Sequence, residues 1–69
     1  MEITFDKEAD ALNIEFSDKE FASNKKMDNE TIVDLDEEGK IIGIEFLNVS
    51  QRTSKDFLSN LVVKNLINQ

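Results

Sequence analysis

The segment that decides the fold is TIVDLDEEGKIIGIEFL, residues 31–47. Apolar side chains alternate with polar ones on both sides of its polar centre, residues 36–40. Alternation with a period of two is typical of strands that bury one face. The segment therefore predicts an antiparallel hairpin with Gly39 in the turn, where a positive φ costs glycine little.

Two registers are possible for this hairpin. Pairing Asp36 with Lys40 around a three-residue turn would mix polar and apolar side chains on both faces of the hairpin. Pairing Glu37 with Lys40 instead gives one clean apolar face. We therefore predict the second register, whose apolar pairs are Leu35 with Ile42 and Val33 with Ile44.

A second hairpin is predicted nearer the amino end. Ile3 and Phe5 alternate with polar neighbours, and so do Leu12, Ile14 and Phe16. If Phe5 lies opposite Leu12, then Ile3 lies opposite Ile14, and the four side chains share one face. Aspartate side chains often bond to nearby backbone amides. The acidic residues expected to shape the connecting loop in this way are Asp6, Glu8 and Asp10.

The polar stretch 17–30 carries few apolar side chains and favours a loop or a weak edge strand. It contains the adjacent lysines Lys25 and Lys26. Lysines on the edge of a sheet discourage pairing with the edge of another chain. We therefore expect this stretch to protect one side of the sheet.

The outward face of the sheet is predicted to be mostly solvated. Its members are Glu2, Glu15, Ile32, Asp34, Ile41 and Glu45. A carboxylate pair such as Asp34 with Glu45 could do acid and base work only if one of them were desolvated and its pKa raised. Charged outward positions of a strand are usually exposed, so we expect neither an enzyme nor a cofactor.

The spacing of apolar residues changes to a helical one after residue 48. A hydroxyl of Ser50, Thr53 or Ser54 can cap this helix, and Asp56 in the first turn suits the helix dipole. One broad stripe of apolar side chains would then cover the sheet. Its members are Phe57, Leu58, Leu61, Val62 and Leu66.

Together these patterns predict one α+β domain over residues 1–69. A small antiparallel β-sheet built from two hairpins would span about residues 2–47. One C-terminal α-helix, over about residues 53–67, would pack on one face of the sheet.

Val63 and Ile67, four residues apart, point away from the stripe that covers the sheet. A chain of 69 residues has a marginal core, because apolar burial and ordering entropy nearly cancel at this size. Disulfides are excluded, since the chain has no cysteine. Val63 and Ile67 are therefore candidate interface residues of a homodimer.

The charge is strongly acidic and unevenly distributed. The net charge is −7, from 15 Asp and Glu against 8 Lys and Arg, and nearly all of the acids lie in residues 1–45. Nucleic acids and anionic membranes are bound mainly through Lys and Arg, so direct binding of either is disfavoured. A basic protein partner fits the charge, and Asp34 and Glu45 are candidate contacts for it.

Composition and the amino end exclude several other classes. The absence of cysteine and histidine removes thiolate and imidazole zinc ligands and the Ser-His and Cys-His catalytic pairs. No apolar run approaches the roughly 20 residues that span a bilayer. The start Met1-Glu2 is not a basic-then-apolar signal segment, so we expect a cytoplasmic protein.

Residues 34–45 also match the spacing of an EF-hand calcium loop. The matching positions are Asp34, Asp36, Glu38, Gly39, Ile41 and Glu45. An EF-hand needs a helix on each side of the loop, whereas both flanks here alternate as strands. Calcium binding is therefore the weakest of the functional alternatives.

About residues 1–52 resemble a YuzE-like family of very small bacterial and archaeal proteins of unknown function. The motifs that carry the resemblance are FD at 5–6, EADAL at 8–12, IVDLD at 32–36, Gly39, IGIE at 42–45 and Ser50. The family often has tyrosine at the positions of Phe5 and Asn13, so a role for a tyrosine hydroxyl is absent here.

This resemblance implies a compact antiparallel sheet with a carboxy-terminal helix, and it brings no catalytic activity or cofactor. Members of the family are similar to proteins encoded beside small ribonuclease-like toxins, which implies an antitoxin role. Two hypotheses follow for the chain: a module that binds a basic protein, and a homodimer with a structural role.

Overall fold

The computed structural model describes the backbone of residues 1–63 and the side chains of that range other than residues 58 and 61–63. Within this range, five strands form one sheet and two short helices follow it. The elements are β1 (Glu2–Asp6), β2 (Ala11–Glu15), β3 (Ser23–Asp28), β4 (Thr31–Leu35), β5 (Ile41–Phe46), α1 (Val49–Arg52) and α2 (Lys55–Val63). The strand order is β1-β2-β5-β4-β3, and all neighbouring strands are antiparallel.

The predicted arrangement of two hairpins and a single helix is wrong in two respects. Residues 23–28 form a fifth strand, β3, which lies at the sheet edge beside β4. Every residue of β3 is exposed, so no apolar alternation marks the strand in the sequence. The weak edge strand considered for this stretch is thus confirmed, and the described part of the chain is mostly β.

The helical region is divided at Thr53, which is the second difference. Thr53 is extended, with φ −128° and ψ 164°. Its backbone N–H and its hydroxyl both donate to the carbonyl of Val49, at 3.1 and 2.9 Å, and these bonds end α1. The hydroxyl of Ser54 then accepts the N–H of Phe57 at 3.3 Å, so of the three predicted caps Ser54 is the one that caps α2.

The first hairpin has the predicted register. Phe5 pairs with Leu12 and Ile3 pairs with Ile14. The predicted role of Asp6 is confirmed as well, since its carboxylate accepts the N–H of Glu8 at 3.0 Å and of the next residue at 3.1 Å. These two bonds close the loop between β1 and β2.

The second hairpin combines the two registers that the sequence offered. Val33 pairs with Ile44 as predicted, but Leu35 pairs with Ile41, so the predicted pair with Ile42 is wrong. The ladder shifts between residues 34 and 35, and the extra residue in β5 is a β-bulge. Because of the bulge, the hairpin can have a three-residue turn and still place Val33 and Ile44 on one apolar face.

The turn itself explains why the register shifts. The N–H of Asp36 donates to the carbonyl of Lys40 at 2.9 Å, which is the pairing that the alternation argued against. Asp36 also accepts the N–H groups of Glu38 and Lys40 through one carboxylate oxygen, each at 2.9 Å. Gly39 has φ +81°, as predicted for the turn.

The core lies where the sheet meets α1. Leu12 is 3% exposed and Val49, on α1, is 2% exposed. Phe57, from the predicted apolar stripe, lines a groove of about 350 Å³ with Leu12 and Phe46 and remains 41% exposed. The side chains of the other four stripe residues lie outside the described part of the chain.

Candidate protein-binding surface

Four of the predicted outward carboxylates share one face of the sheet. Glu2 pairs with Glu15, Glu15 pairs with Gly43 and Gly43 pairs with Asp34, so these residues form one row across four strands. Glu45 lies in the neighbouring row. Because directly paired residues point to the same side of a sheet, the carboxylates face the same way. We call Glu2, Glu15, Asp34 and Glu45 the acidic face.

Gly43 keeps the middle of this face open. A Cβ atom at Gly43 would lie 3.1 Å from the carbonyl oxygen of Ile14 and 3.5 Å from a carboxylate oxygen of Asp34. The first of these distances is too short for an ordinary contact, so a side chain fits poorly here. The space above Gly43 forms part of a groove of about 230 Å³, which Phe21 and Lys19 border.

Several other acidic residues form hydrogen bonds that stabilise the fold. The carboxylate of Asp28 accepts the N–H of Glu30 at 2.8 Å, and the carboxylates of Asp6 and Asp36 close their own turns. Glu30 accepts the side-chain amide of Asn48 at 2.6 Å. By contrast, within the described part of the chain, none of the four acidic-face carboxylates accepts a hydrogen bond or forms an ion pair. They are therefore free to contact a partner, and unlike the other unbonded acids they lie together on one face of the sheet.

The match to a calcium loop has a different structural explanation. Residues 34–45 form a β-hairpin and not a loop between helices. The Asp36 side chain is buried, and one of its oxygens already accepts two backbone amides. Among the residues that the structure describes, no group of three or more carboxylates could hold a metal ion. In this segment Asp36 stabilises the turn, and Asp34 and Glu45 lie on the outward face of the sheet.

Asp10 fixes α1 to the first hairpin, a contact that the sequence analysis missed. Its carboxylate accepts the N–H of Ser50 at 3.1 and 3.3 Å and the Ser50 hydroxyl at 2.6 Å. Its carbonyl also accepts the N–H of Val49 at 3.1 Å. Asp10 and Ser50 are forty residues apart, so no local spacing pairs them. Both residues belong to the motifs that carry the family resemblance, and this is the one signal in the sequence that links them.

Arg52 makes a second contact between α1 and the sheet. Its guanidinium donates to the carbonyl of Glu30 at 2.6 Å and to the hydroxyl of Thr31 at 2.8 Å. It also lies 5.5 Å from the centre of the Phe46 ring, within the range of a cation–π contact. Arg52 therefore orders the chain just after β5 and is not a free basic group.

The other predicted interface residues are not tested by the structure. Val63 ends α2, and its side chain and the whole of Ile67 lie outside the described residues. Ile41 is 54% exposed, but it pairs with Leu35 and so lies on the face of Leu35, and its predicted place on the outward face is wrong. No helix in the described part of the chain has the length and apolar character needed to cross a membrane.

Acid is expected to weaken the fold through Asp36 and Asp28. The N–H of Lys40 holds the pKa of Asp36 below its ordinary value of 3.8, and that of Glu38 adds to the effect. The N–H of Glu30 and then the Thr31 hydroxyl likewise lower the pKa of Asp28. A carboxyl with a lowered pKa in the folded state contributes stability above its ordinary pKa and loses it as the pH falls through the lowered value.

Urea unfolding between pH 7 and pH 2 measures this loss. Asp36→Asn keeps an acceptor oxygen but removes the charge, so its stability should fall less steeply below the ordinary pKa of Asp36. The curves for the variant and the unmodified protein should converge in acid. Parallel curves would show that the Asp36 charge does not stabilise the turn.

Comparison with known proteins gives a family but no activity. No curated protein matches this chain, and no solved structure matches it either. A family model does match, over residues 2–50, and the matched region holds all five strands together with Asp10 and Ser50. The chain belongs to the family described as Protein of unknown function (DUF2283).

Proposed function

We propose that this protein is a small cytoplasmic, non-enzymatic module that binds a basic protein through its acidic face. The observation that carries the proposal is that four carboxylates without a partner in the described part of the chain share one face of the sheet. Asp6, Asp10, Asp28 and Asp36 are used by the fold, whereas the carboxylates of the acidic face have no partner within the described residues. A carboxylate without an internal partner is available to Lys and Arg of another chain.

The charge of the whole chain supports the same kind of partner. A net charge of −7 on 69 residues attracts a basic protein over a distance of several ångströms and raises the rate of encounter. The resemblance to YuzE-like proteins, and through it to proteins encoded beside ribonuclease-like toxins, favours a toxin as the partner. In that role the acidic face would cover the surface with which the toxin binds RNA.

Co-expression tests this function directly. The basic protein encoded beside this chain is expressed alone and together with it, and growth of the host is measured. Relief of growth inhibition, with recovery of the two chains as one complex, is the expected result. A neighbour that is not basic, or toxicity that persists when both chains are made, would contradict the proposal.

A homodimer is the second candidate, and exposed apolar side chains favour it. Phe16, Phe21 and Met27 are all more than one third exposed, in addition to Phe57. If dimerisation supplies stability, the midpoint of thermal unfolding should rise with protein concentration. The double variant Val63→Asp, Ile67→Asp should remove that dependence. A midpoint that does not change with concentration would exclude a dimer that contributes to stability.

A further inference from the structure

The two edges of the sheet are built differently. β3 carries Lys25 and Lys26 and has a register shift between residues 26 and 28. Lysines and bulges are devices that keep an edge strand from pairing with another chain. β1, at the opposite edge, has neither a lysine nor a proline, and all five of its residues pair with β2 in an unbroken register. Within residues 1–63, the β1 edge is therefore open to a further strand.

The hydrogen bonds of β2 show which groups β1 presents outward. The N–H of Phe16 donates to the carbonyl of Ile42, so β2 turns the backbone groups of its even-numbered residues towards β5. Its odd-numbered residues turn theirs towards β1, where they meet Glu2, Thr4 and Asp6. The N–H and C=O groups of Ile3 and Phe5 therefore point away from the sheet. Within the described part of the chain, no loop or helix bonds to them.

We propose that the β1 edge receives an extended segment of the basic partner as a sixth strand. This inference rests on the proposed function and specifies how the partner docks. The side chains of Ile3 and Phe5 lie on the same face as Leu12 and are half-buried, so they favour apolar residues in the added strand. Glu2 is exposed on the opposite face and favours Lys or Arg in the added strand.

A second copy of the chain fits this edge poorly. Two β1 strands that pair antiparallel with full overlap would centre on Thr4 and place Glu2 opposite Asp6 at both ends. Like charges directly opposite each other destabilise a strand pair. A segment that alternates apolar and basic residues meets the same edge without this repulsion.

A short peptide that alternates valine and lysine tests the proposal. In the proposed antiparallel pairing its valines lie opposite Ile3 and Phe5, and the valine N–H groups face β1. N-methylation of the valine amides should therefore weaken binding by about tenfold or more, because it removes these donors. N-methylation of the lysine amides should leave binding nearly unchanged, since those amides face solvent. The two peptides have the same charge and composition.

Amide exchange locates the site in the same experiment. The backbone amides of Ile3 and Phe5 should exchange rapidly in the free protein and slowly with the unmodified peptide bound. Glu2→Lys should weaken binding of the unmodified peptide more than Glu37→Lys, which makes the same charge change in the exposed turn. Equal binding of both methylated peptides, unchanged exchange at Ile3 and Phe5, or no binding of the unmodified peptide would each overturn the proposal.

These outcomes are separable from failure of the proposed function. If the peptide binds by charge alone, N-methylation at either set of amides should not change its affinity. Capture of the intact basic protein would still depend on Asp34 and Glu45. In that case the acidic face would still be the surface that binds the basic protein, but the β1 edge would not receive a strand from it.

Discussion

Reversing the charge of Asp34 and Glu45 is expected to weaken capture of the basic partner by about 10- to 100-fold. Both residues lie on central strands of the sheet, and neither carboxylate is used by the described part of the fold. In the double variant Asp34→Lys, Glu45→Lys, two attractive contacts become repulsive. The same variant should fail to relieve growth inhibition in the co-expression experiment.

A matched variant separates the acidic face from the general charge of the protein. Glu37→Lys with Glu38→Lys changes the net charge by the same amount, but at an exposed turn. In the described part of the chain Glu38 forms an ion pair with Lys19 at 4.0 Å, which is highly exposed and of little energetic value. This control should slow encounter modestly at low salt and otherwise retain binding.

Binding measured by calorimetry at low and high salt completes the test. If the two double variants lose affinity equally, the partner responds only to net charge and the acidic face is not its binding surface. Circular dichroism of both variants shows that the comparison is between folded proteins.

The local part of the fold could be predicted because side-chain alternation fixes register where one face is buried. Ile3, Phe5, Leu12 and Ile14 gave the first hairpin, and the same logic placed Glu2, Glu15, Asp34 and Glu45 on one outward face. A slip of one residue would have moved every apolar side chain to the wrong side. The candidate surface was therefore accessible from the sequence, although its partner was not.

Side-chain alternation does not predict the β-bulge, because the pattern is consistent with one unbroken register on both sides of the turn. The backbone of Asp36 pairs with Lys40, and its carboxylate bonds two amides of the turn, so a three-residue turn forms. One extra residue in β5 then restores the pairing of Val33 with Ile44. Strand β3 was hard to assign for the opposite reason, since a fully exposed strand leaves no apolar pattern.

The contacts of α1 could not be predicted from spacing, because their partners are distant in sequence. Asp10 meets Ser50 and Arg52 meets Glu30, across forty and twenty-two residues. Two residues with positive φ, Asp10 at 53° and Asn48 at 51°, help the chain reach this arrangement. Neither is a glycine, so the left-handed positions had no clear mark in the sequence.

Asp10→Ala is expected to destabilise the protein by about 2–3 kcal/mol, which is a large share of the stability of a domain this small. The change removes a charge-assisted acceptor for the backbone N–H and the hydroxyl of Ser50. It also places alanine at φ 53°, a left-handed conformation that costs a residue with a Cβ about 1 kcal/mol. Urea unfolding monitored by circular dichroism measures the difference.

Two further substitutions divide this effect into its causes. Asp10→Gly removes the carboxylate but relieves the backbone strain, so it should cost about 1 kcal/mol less than Asp10→Ala. Asp10→Asn retains an acceptor oxygen and tolerates the left-handed conformation, so it should be the mildest of the three. If the alanine and glycine variants are equally stable, backbone strain does not contribute to the effect of Asp10→Ala.

The partner of Asp10 is tested by a double-mutant cycle with Ser50→Ala. Ser50→Ala removes only the 2.6 Å bond from the hydroxyl and keeps the backbone bond. If the two side chains act on each other, the double variant should be more stable than the sum of the single effects implies, by about 1 kcal/mol. Strict additivity would mean that Asp10 stabilises α1 through the backbone N–H of Ser50 alone.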